Sequence, residues 1–247
     1  MRKSIALLAA TALIAGCGSS GSKGGSAAAP AQTAGGAPPL PTVAAPSRFT
    51  RQRQNAWLPL RPGAVYRYRG KKDGKPTTDV VRVTAATRTI GGVRCTAVSD
   101  NLYSHGRVIE RTTDWYAPDS DANVWYFGED TAELNAAGKV TSTEGSWLSG
   151  VHGAKAGLFM PADPRVGQTG LQEFLQGHAE DHYRVVSVHT RVRTPGASAA
   201  DGLLTEEWTP LEPGVLDHKF YVRGVGNVLE QSVRGPKETN ELVSYHG

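Results

Sequence analysis

The feature that most constrains the fold of this chain is the alternation of apolar and polar side chains after about residue 55. Apolar residues recur at every second position in short runs, and turn-forming residues separate the runs. This alternation is typical of antiparallel strands with one buried face. The sequence contains no long stretch with a helical period. The runs cover residues 64–69, 81–85, 94–99, 107–117, 124–129, 182–193, 203–209, 217–223, 227–233 and 238–246.

The pattern predicts an all-β fold, with a single antiparallel curved sheet or open half-barrel of about ten strands. Ile90-Gly91-Gly92-Val93 predicts a tight hairpin turn, because paired glycines suit such turns. The segment 144–167 is rich in glycine and proline. We expect it to form a long loop that covers one face or one mouth of the sheet. Residues 169–176 fit either a short helix or a strand.

The N-terminus has the order of an export signal. Arg2 and Lys3 precede an apolar run over residues 5–15, which is too short to span a bilayer as a helix. The run ends in Leu13-Ile14-Ala15-Gly16-Cys17, which resembles the lipobox of bacterial lipoproteins. The resemblance implies that Cys17 is acylated, for example with palmitate, and becomes the new N-terminus. The alternative is an ordinary secretory signal followed by a chance cysteine.

Composition divides the chain into three parts. Residues 1–16 form the predicted lipoprotein signal peptide, residues 17–54 a lipid-anchored tether, and residues 55–247 a single β-rich domain. Most of the tether consists of Gly, Ala, Pro, Ser and Thr, a composition that buries too little apolar surface to fold. This organisation predicts an extracytoplasmic location in the bacterial cell envelope. It leaves open whether the membrane is the inner or the outer one.

The second cysteine and the net charge restrict the function further. If Cys17 carries lipid, Cys95 has no disulfide partner, and we expect it to be buried as a small apolar residue. Without residues 1–16 the chain has 25 basic and 23 acidic side chains. This near balance, together with the predicted compartment, excludes nucleic-acid binding.

Charge is distributed unevenly along the chain. Residues 48–94 carry 12 basic and 2 acidic side chains, whereas residues 95–247 carry 12 basic and 21 acidic ones. One explanation is an interaction surface. The other is that basic early strands lie beside acidic later strands and form weak cross-strand ion pairs.

Several separated phrases resemble a family of uncharacterised bacterial exported proteins and lipoproteins. They include Asp114-Trp115-Tyr116-Ala117, Asn123-Val124-Trp125-Tyr126-Phe127-Gly128-Glu129, Glu207-Trp208-Thr209-Pro210-Leu211-Glu212-Pro213-Gly214-Val215 and Gly224-Val225-Gly226. The resemblance spans roughly residues 60–245. It implies an exported, mostly β domain and provides no catalytic residues to transfer.

Two Trp-bearing segments of the chain also resemble each other. Residues 114–129 and 207–228 each contain an acidic residue and a Trp, then a turn, then an aromatic strand that ends at a glycine. This likeness indicates either a weak internal duplication or the ordinary composition of hairpins that cover a core.

Aromatic and acidic residues provide a candidate binding site. In the strand after Asn123, Trp125 and Phe127 share one face, and Val124 and Tyr126 share the other. One face is expected in the core, and the other either lines a groove for an apolar or glycan ligand or is ordinary strand surface. The predicted ligand-binding residues are Trp115, Trp125, Tyr126, Glu129, Trp147, Glu173 and Trp208.

A possible calcium site lies at Asp119, Asp121 and Asn123, where three oxygen-bearing side chains occupy alternate positions. The remaining ligands of an EF-hand loop are missing, because Val124 and Asp130 stand where that loop has Gly and Glu. The alternative is a polar hairpin turn, in which Asp and Asn accept hydrogen bonds from nearby backbone. The sequence predicts no other cofactor.

The sequence lacks a nucleophile elbow, a phosphate-binding loop and a dinucleotide fingerprint. We therefore expect a lipid-anchored extracytoplasmic protein with a non-catalytic binding or scaffolding domain for an apolar or envelope-component ligand. One alternative is an envelope glycan hydrolase with paired carboxylates. Another is a purely structural envelope protein. Protein partners and oligomeric state are not predicted.

Overall fold

The computed structural model describes residue 40, residues 42–72 and residues 74–247. The predicted acylation site, Cys17, lies outside these residues. The described chain forms fifteen strands and one short 3-10 turn at Pro46–Phe49. Within this part of the chain there is no helix long and apolar enough to cross a membrane. The strands are β1 Val65–Lys72, β2 Lys75–Ile90, β3 Val93–Ser104, β4 Arg107–Pro118, β5 Val124–Leu134, β6 Val140–Ser142, β7 Trp147–Leu148, β8 Lys155–Met160, β9 Thr169–Leu171, β10 Glu173–Phe174, β11 His182–Arg193, β12 Ser198–Trp208, β13 Leu216–Val222, β14 Gly226–Arg234 and β15 Thr239–His246.

The ten longest strands form two antiparallel meanders, β1–β5 and β11–β15, which are joined where β1 pairs with β15. These ten strands correspond to the ten runs of alternation in the sequence. The all-β prediction and the curved antiparallel sheet are therefore confirmed. The strand count is larger than expected, because five short strands, β6 to β10, add to the sheet.

The short strands bring the two edges of the sheet together. Strand β8 pairs with β5, β10 pairs with β8, and β9 pairs with β11. Because β9 and β10 are consecutive parts of residues 169–174, this one segment contacts both edges. The sheet is thus nearly closed and barrel-shaped. Residues 169–176, which fitted a helix or a strand, include both of these strands.

The predicted long covering loop is only partly a loop. Within residues 144–167, β7 and β8 both pair with β5. The alternation is too short there to be recognised as strand from the sequence. At the β2–β3 connection the predicted tight turn is confirmed, since Gly91 and Gly92 have φ values of 56° and 80°. Two successive residues with positive φ form the hairpin turn whose twist matches the flanking strands.

Apolar side chains form two cores, one on each face of the sheet. The inner core contains Tyr116, Tyr126, Tyr183, Tyr221 and Leu203, all at most 2% exposed. The outer core lies on β3, β4 and β5 and includes Cys95, which is fully buried as expected. Residues 43–53, which precede the predicted start of the domain, run over this outer core. Phe49 inserts its ring there, 5.5 Å from the ring of Phe127.

Closure of the sheet depends on a close backbone approach at Gly157 in β8. A Cβ atom at this position would lie 2.3 Å from the carbonyl carbon of Gln172 and 2.4 Å from the carbonyl oxygen of Leu171. Both atoms are backbone, so the segment that joins the edges would have to move. We expect Gly157→Ala to lower the free energy of unfolding by about 2–3 kcal/mol, measured by urea denaturation.

Gly214→Ala is the matched control, because nothing lies within 4 Å of its added Cβ. We expect this variant to change the free energy of unfolding by less than about 0.5 kcal/mol. Equal effects of the two substitutions would show that edge closure does not depend on Gly157.

Candidate functional site

Polar side chains from nine of the fifteen strands point into the interior of the sheet and form a ring. We call this set the carboxyl ring. Each member is at most 9% exposed. Its members are Asp79 on β2, Asp100 on β3, Asp114 on β4, Glu129 on β5, Glu173 on β10, Glu207 on β12, Lys219 on β13, Glu230 on β14 and Asn240 on β15.

Strand register brings these residues side by side. Asp114 lies directly opposite Glu129, Lys219 opposite Glu230, and Glu230 opposite Asn240. The next strand, β1, contributes Gly70, opposite Asn240. A Cβ atom at Gly70 would lie 2.2 Å from the backbone oxygen of Thr239 and 3.0 Å from Oδ1 of Asn240. Side chains of the ring on either side of β1 can therefore approach each other only because Gly70 has no side chain.

A bulge in β5 brings Glu129 into the ring. Trp115 of β4 pairs with Gly128, but the next residue, Tyr116, pairs with Tyr126. Phe127 is thus the extra residue, and Gly128 adopts a φ of 147°. Strict alternation would place Tyr126 and Glu129 on opposite faces, whereas the bulge turns both inward. Before the bulge, the strand has the two faces that its alternation predicts. Val124 and Tyr126 belong to the inner core, and Trp125 and Phe127 belong to the outer core.

The Tyr126 hydroxyl links two carboxyl groups of the ring. Its oxygen lies 2.6 Å from Oδ1 of Asp114 and 3.1 Å from Oε2 of Glu129. A hydroxyl has one proton, so two good hydrogen bonds require that one of the carboxyl groups is itself protonated. Burial raises the pKa of Asp114 to about 8, and burial with the nearby charge of Asp114 raises the pKa of Glu129. The geometry and the pKa shifts both favour a proton held at this pair.

The same cause acts on neighbouring members of the ring. Burial raises the pKa of Asp79 to about 6, although a hydrogen bond of 3.0 Å from the Asn240 amide partly offsets it. Burial and the charge of Asp79 raise the pKa of Asp100. Burial and the charges of Asp181 and Glu129 raise the pKa of Glu173. An ionised carboxylate is costly in such surroundings, so burial favours the protonated form of each of these groups.

The opposite side of the ring contains a lysine. The Nζ atom of Lys219 lies 2.8 Å from Oε2 of Glu207 and 3.7 Å from Oε2 of Glu230. Burial alone would lower the pKa of Lys219, but the two glutamates outweigh it and raise that pKa. Thr205 and Tyr221 also donate hydrogen bonds to Oε1 of Glu207. This network compensates one buried carboxylate with a buried cation.

The two similar sequence segments place similar groups in the ring. Tyr126 donates to Asp114 across β4 and β5, and Tyr221 donates to Glu207 across β12 and β13. In each segment the acidic residue faces the interior, so the Trp that follows it lies on the opposite face of the sheet. The pairs occupy the fourth and fifth strands of one meander but the second and third of the other. The likeness is therefore local to one hairpin and does not extend over whole repeats.

A small apolar chamber adjoins the ring. Its volume is about 40 Å³, and residues 58–60 form part of its wall. The Asn55 side chain positions this segment, because its amide donates to the carbonyl of Ala122 and its oxygen accepts from the backbone N–H of Trp57. The walls of the chamber are formed mainly by Leu58, Tyr66, Val83, Val98, Tyr116 and Phe159.

The seven predicted ligand-binding residues occupy three places. Tyr126, Glu129, Trp147 and Glu173 face the interior, where the Trp147 ring meets the Tyr126 ring edge-on at 5.3 Å. Trp115 and Trp125 lie in the outer core, beneath residues 43–53. Trp208 stacks on His182 at 5.3 Å. The interior group is thus brought together, and the other three residues lie apart from it.

Asp119, Asp121 and Asn123 form a hairpin turn. Oδ1 of Asp119 accepts hydrogen bonds from the backbone N–H groups of Asp121 and Asn123, and Oδ2 accepts one from the Trp125 indole. Asp121 pairs with Arg48. Among the residues that the structure describes, no three His, Cys, Asp or Glu side chains are arranged to hold a metal ion.

Most of the ring was not identified from the sequence. Asp79, Asp100, Asp114, Glu207 and Glu230 looked like ordinary strand polar residues. The available signal was an acidic residue at a position where the alternation requires an apolar one, as at Asp79 between Thr77 and Val81. Assigning such a residue to the interior needs the phase of every strand, which the bulges shift.

No protein-family model matches the sequence, and no curated protein does. The fold is similar to two solved structures. One is a protein assigned as exported, with a YmcC-like fold, from Bacteroides fragilis; it has a TM-score of 0.46 and 11% identity, and the match covers 78% of this chain and 100% of that one. The other is a protein assigned as a lipoprotein from Parabacteroides distasonis, with a TM-score of 0.43, 9% identity, and coverage of 79% and 100%. At this identity the likeness gives no information about ligands or chemistry.

The carboxyl ring predicts that stability falls as pH rises. The folded-state pKa values of Asp79, Asp114 and Glu230 are raised to about 6, 8 and 8, so the folded protein binds more protons than the unfolded chain above about pH 4. Their stabilising contribution is complete below the unfolded pKa and is lost as pH passes the folded pKa. We expect the free energy of unfolding to fall by at least about 1 kcal/mol between pH 5 and pH 8, measured by urea denaturation.

Asp114→Asn should reduce this pH dependence, because the amide accepts the Tyr126 hydrogen bond but cannot ionise. Asp163→Asn is the control, since the Asp163 side chain is 83% exposed and pairs with Arg165, which is equally exposed. A stability that rises between pH 5 and pH 8 would contradict a protonated ring.

Proposed function

We propose that this chain is a lipid-anchored extracytoplasmic protein whose folded part is a non-catalytic binding module for an amphiphilic ligand of the cell envelope. The anchor is supported by the order of residues 1–17, which ends in the lipobox-like sequence at Cys17. Residues 17–42 serve as the tether, and residues 43–247, which include the segment packed on the outer core, serve as the binding domain. This domain meets the ligand outside the cytoplasm, at the membrane to which Cys17 is attached.

The observation that carries the binding proposal is the apolar chamber beside the carboxyl ring. Its walls are mainly aromatic rings and aliphatic side chains, and Lys219 of the ring and Asn227 also line it. Tyr116 belongs to both the chamber and the interior that contains the ring. An apolar wall with a few polar groups at one end is the usual composition of a small-molecule site. The chamber therefore suits the apolar end of an amphiphile, with its polar end toward Tyr116.

Buried polar atoms near Tyr116 support the polar end of this site. The Tyr116 hydroxyl is buried and has no hydrogen-bond partner among the described residues. The Trp147 indole and the Glu173 carboxyl lie near it and interact with each other. Buried polar groups are normally paired with protein, water or ligand. A hydroxyl or carbonyl group of a ligand, or the water that precedes it, would satisfy the Tyr116 hydroxyl.

The size of the chamber determines how a ligand enters. About 40 Å³ holds a few water molecules, less than a cavity that accepts benzene. A longer apolar chain requires that residues 58–60 move outward. This movement must break hydrogen bonds, because Oδ1 of Asn55 accepts from the Leu58 N–H, and the Gln54 side chain bonds both the N–H and the carbonyl of Leu60.

Paired carboxyl groups would be needed for the alternative function, glycan hydrolysis. Asp114 and Glu129 are such a pair, but they are only 2% and 4% exposed. A glycan chain cannot reach them without opening the sheet. The pair therefore fits a role inside the binding module better than it fits hydrolysis.

Filling the chamber tests the binding proposal. We expect the mature chain to bind a dansylated fatty acid, with an increase in dansyl fluorescence on titration. Val98→Phe places a larger side chain in the chamber wall and should weaken this binding at least about tenfold. The control is Val140→Phe, at a position that is 39% exposed and outside the chamber. Absence of binding by the unsubstituted chain would favour a purely structural or scaffolding role.

Membrane attachment is tested by removing the predicted acylation site. We expect the exported protein to incorporate labelled palmitate and to enter the detergent phase, and Cys17→Ala to abolish the labelling. Cys95→Ala is the matched control, because Cys95 is the other cysteine and is buried in the outer core. A Cys17→Ala protein that still incorporates palmitate would contradict acylation at Cys17.

A further inference from the structure

The outer surface of β1, β2 and β4 carries a cluster of cations. Side chains alternate along these strands, so the neighbours of inward residues such as Tyr66, Tyr68 and Asp79 point outward. We call this cluster the basic face. Its members are Arg67, Arg69, Lys71, Arg82, Arg88 and Arg111, of which all but Arg82 are exposed.

Register places these cations close together across four strands. Arg67 lies opposite Val80, Val80 opposite Asn101, and Asn101 opposite Arg111. Arg67 and Arg111 thus belong to one row of the sheet. Arg82 lies two residues along β2 from Val80, on the same side of the sheet. Arg67, Arg82 and Arg111 therefore share one side of the sheet, and Arg88 lies farther along β2 toward the outer core.

Few acidic groups neutralise this surface. Cross-sheet ion pairs join Arg48 to Asp121, Arg69 to Glu241 and Lys72 to Glu110. These three pairs explain part of the uneven charge in the sequence. Among the described residues, no ion pair within 4 Å involves Arg67, Lys71, Arg82 or Arg111. The excess positive charge of residues 48–94 is thus partly gathered on the basic face.

The start of the described chain lies on the same side of the sheet. Residues 43–53 cover the outer core, which lies on the outward side of β3, β4 and β5. Arg88 connects the two regions, because its guanidinium lies 4.6 Å from the centre of the Trp115 ring in the outer core. The chain that leads back to Cys17 therefore leaves the domain beside the basic face.

The chain between the anchor and the domain is long enough for this face to reach a membrane. Residues 18–39 separate Cys17 from Leu40. Fully extended, a segment of this length spans roughly 75 Å. A shorter extension suffices to lay the basic face on the bilayer.

We propose that the basic face docks the domain onto the anionic phospholipid headgroups of the bilayer that holds Cys17. The role of the bilayer rests on the proposed membrane attachment, but the affinity for headgroups belongs to the folded domain. Arginine guanidinium groups bind phosphate oxygens in a bidentate manner, and clustered cations are attracted to an anionic surface. Docking holds the domain in one orientation, with the opposite side of the sheet facing away from the membrane.

The test uses the mature chain, residues 17–247, with Cys17→Ser, so that no acyl chain contributes. We expect this protein to sediment with phosphatidylcholine vesicles that contain phosphatidylglycerol, and not with pure phosphatidylcholine vesicles. Binding should weaken as sodium chloride is raised, because salt screens the attraction. The triple variant R67Q/R82Q/R111Q should bind at least about tenfold more weakly.

The control is R165Q/R191Q/R193Q, which removes the same charge from exposed positions outside the basic face. Circular dichroism melting checks that both variants are folded. Equal binding losses in the two variants would show that only net charge matters, and would overturn the proposal. Binding to both vesicle types, or to neither, would overturn it as well.

Competition distinguishes a bilayer from a free anion. Inorganic phosphate at millimolar concentration should not displace the protein from the vesicles. Displacement by phosphate would assign the basic face to a soluble anion and overturn membrane docking. This vesicle assay contains no acylated protein, so its failure leaves the Cys17 experiment unaffected. Equally, the result for Cys17→Ala does not decide headgroup binding, which the vesicle assay tests alone.

Discussion

Protonated carboxyl groups inside a nearly closed sheet are the constraint on which the rest of this structure depends. Once the edges meet at residues 169–174, the inward side chains of all strands share one enclosed space. Asp114 and Glu129 are joined there by hydrogen bonds to the Tyr126 hydroxyl, which favour a proton on one of the two carboxyl groups. Lys219 and Glu207 form an ion pair. Any change in proton content therefore changes the stability of the whole sheet.

The ring also separates the interior into parts with different chemistry. The apolar chamber, which residues 58–60 help to line, lies on one side of the ring. Tyr116 lies between the chamber and the ring. The proposed ligand site uses this boundary, because an amphiphile has the same division between apolar and polar ends. An entirely apolar interior would offer no partner for the polar end, and an entirely charged one would reject the apolar end.

The outer face has a division of its own. Residues 43–53 cover aromatic side chains at one end of β3 to β5, and the cations of the basic face occupy the outward side of β1, β2 and β4. Trp115 and Trp125 looked like ligand-binding residues because the sequence shows no segment that would cover them. In the fold, the chain's own Phe49 packs on Trp125 at 6.4 Å. The basic face has no such cover among the described residues, which is why it is available to a membrane surface.

Local sequence patterns predicted the ten long strands, the Gly91-Gly92 turn and the all-β class, because side-chain alternation and turn chemistry are local properties. Burial of Cys95 followed from the same reasoning. Long-range packing set three further features: Glu129 faces inward, residues 169–174 join both sheet edges, and acidic residues from seven strands meet in one ring. The bulge at Phe127 reverses the alternation after it, and the ring depends on strand register between segments far apart in sequence. Neither the bulge nor the long-range register can be predicted from a local stretch of residues.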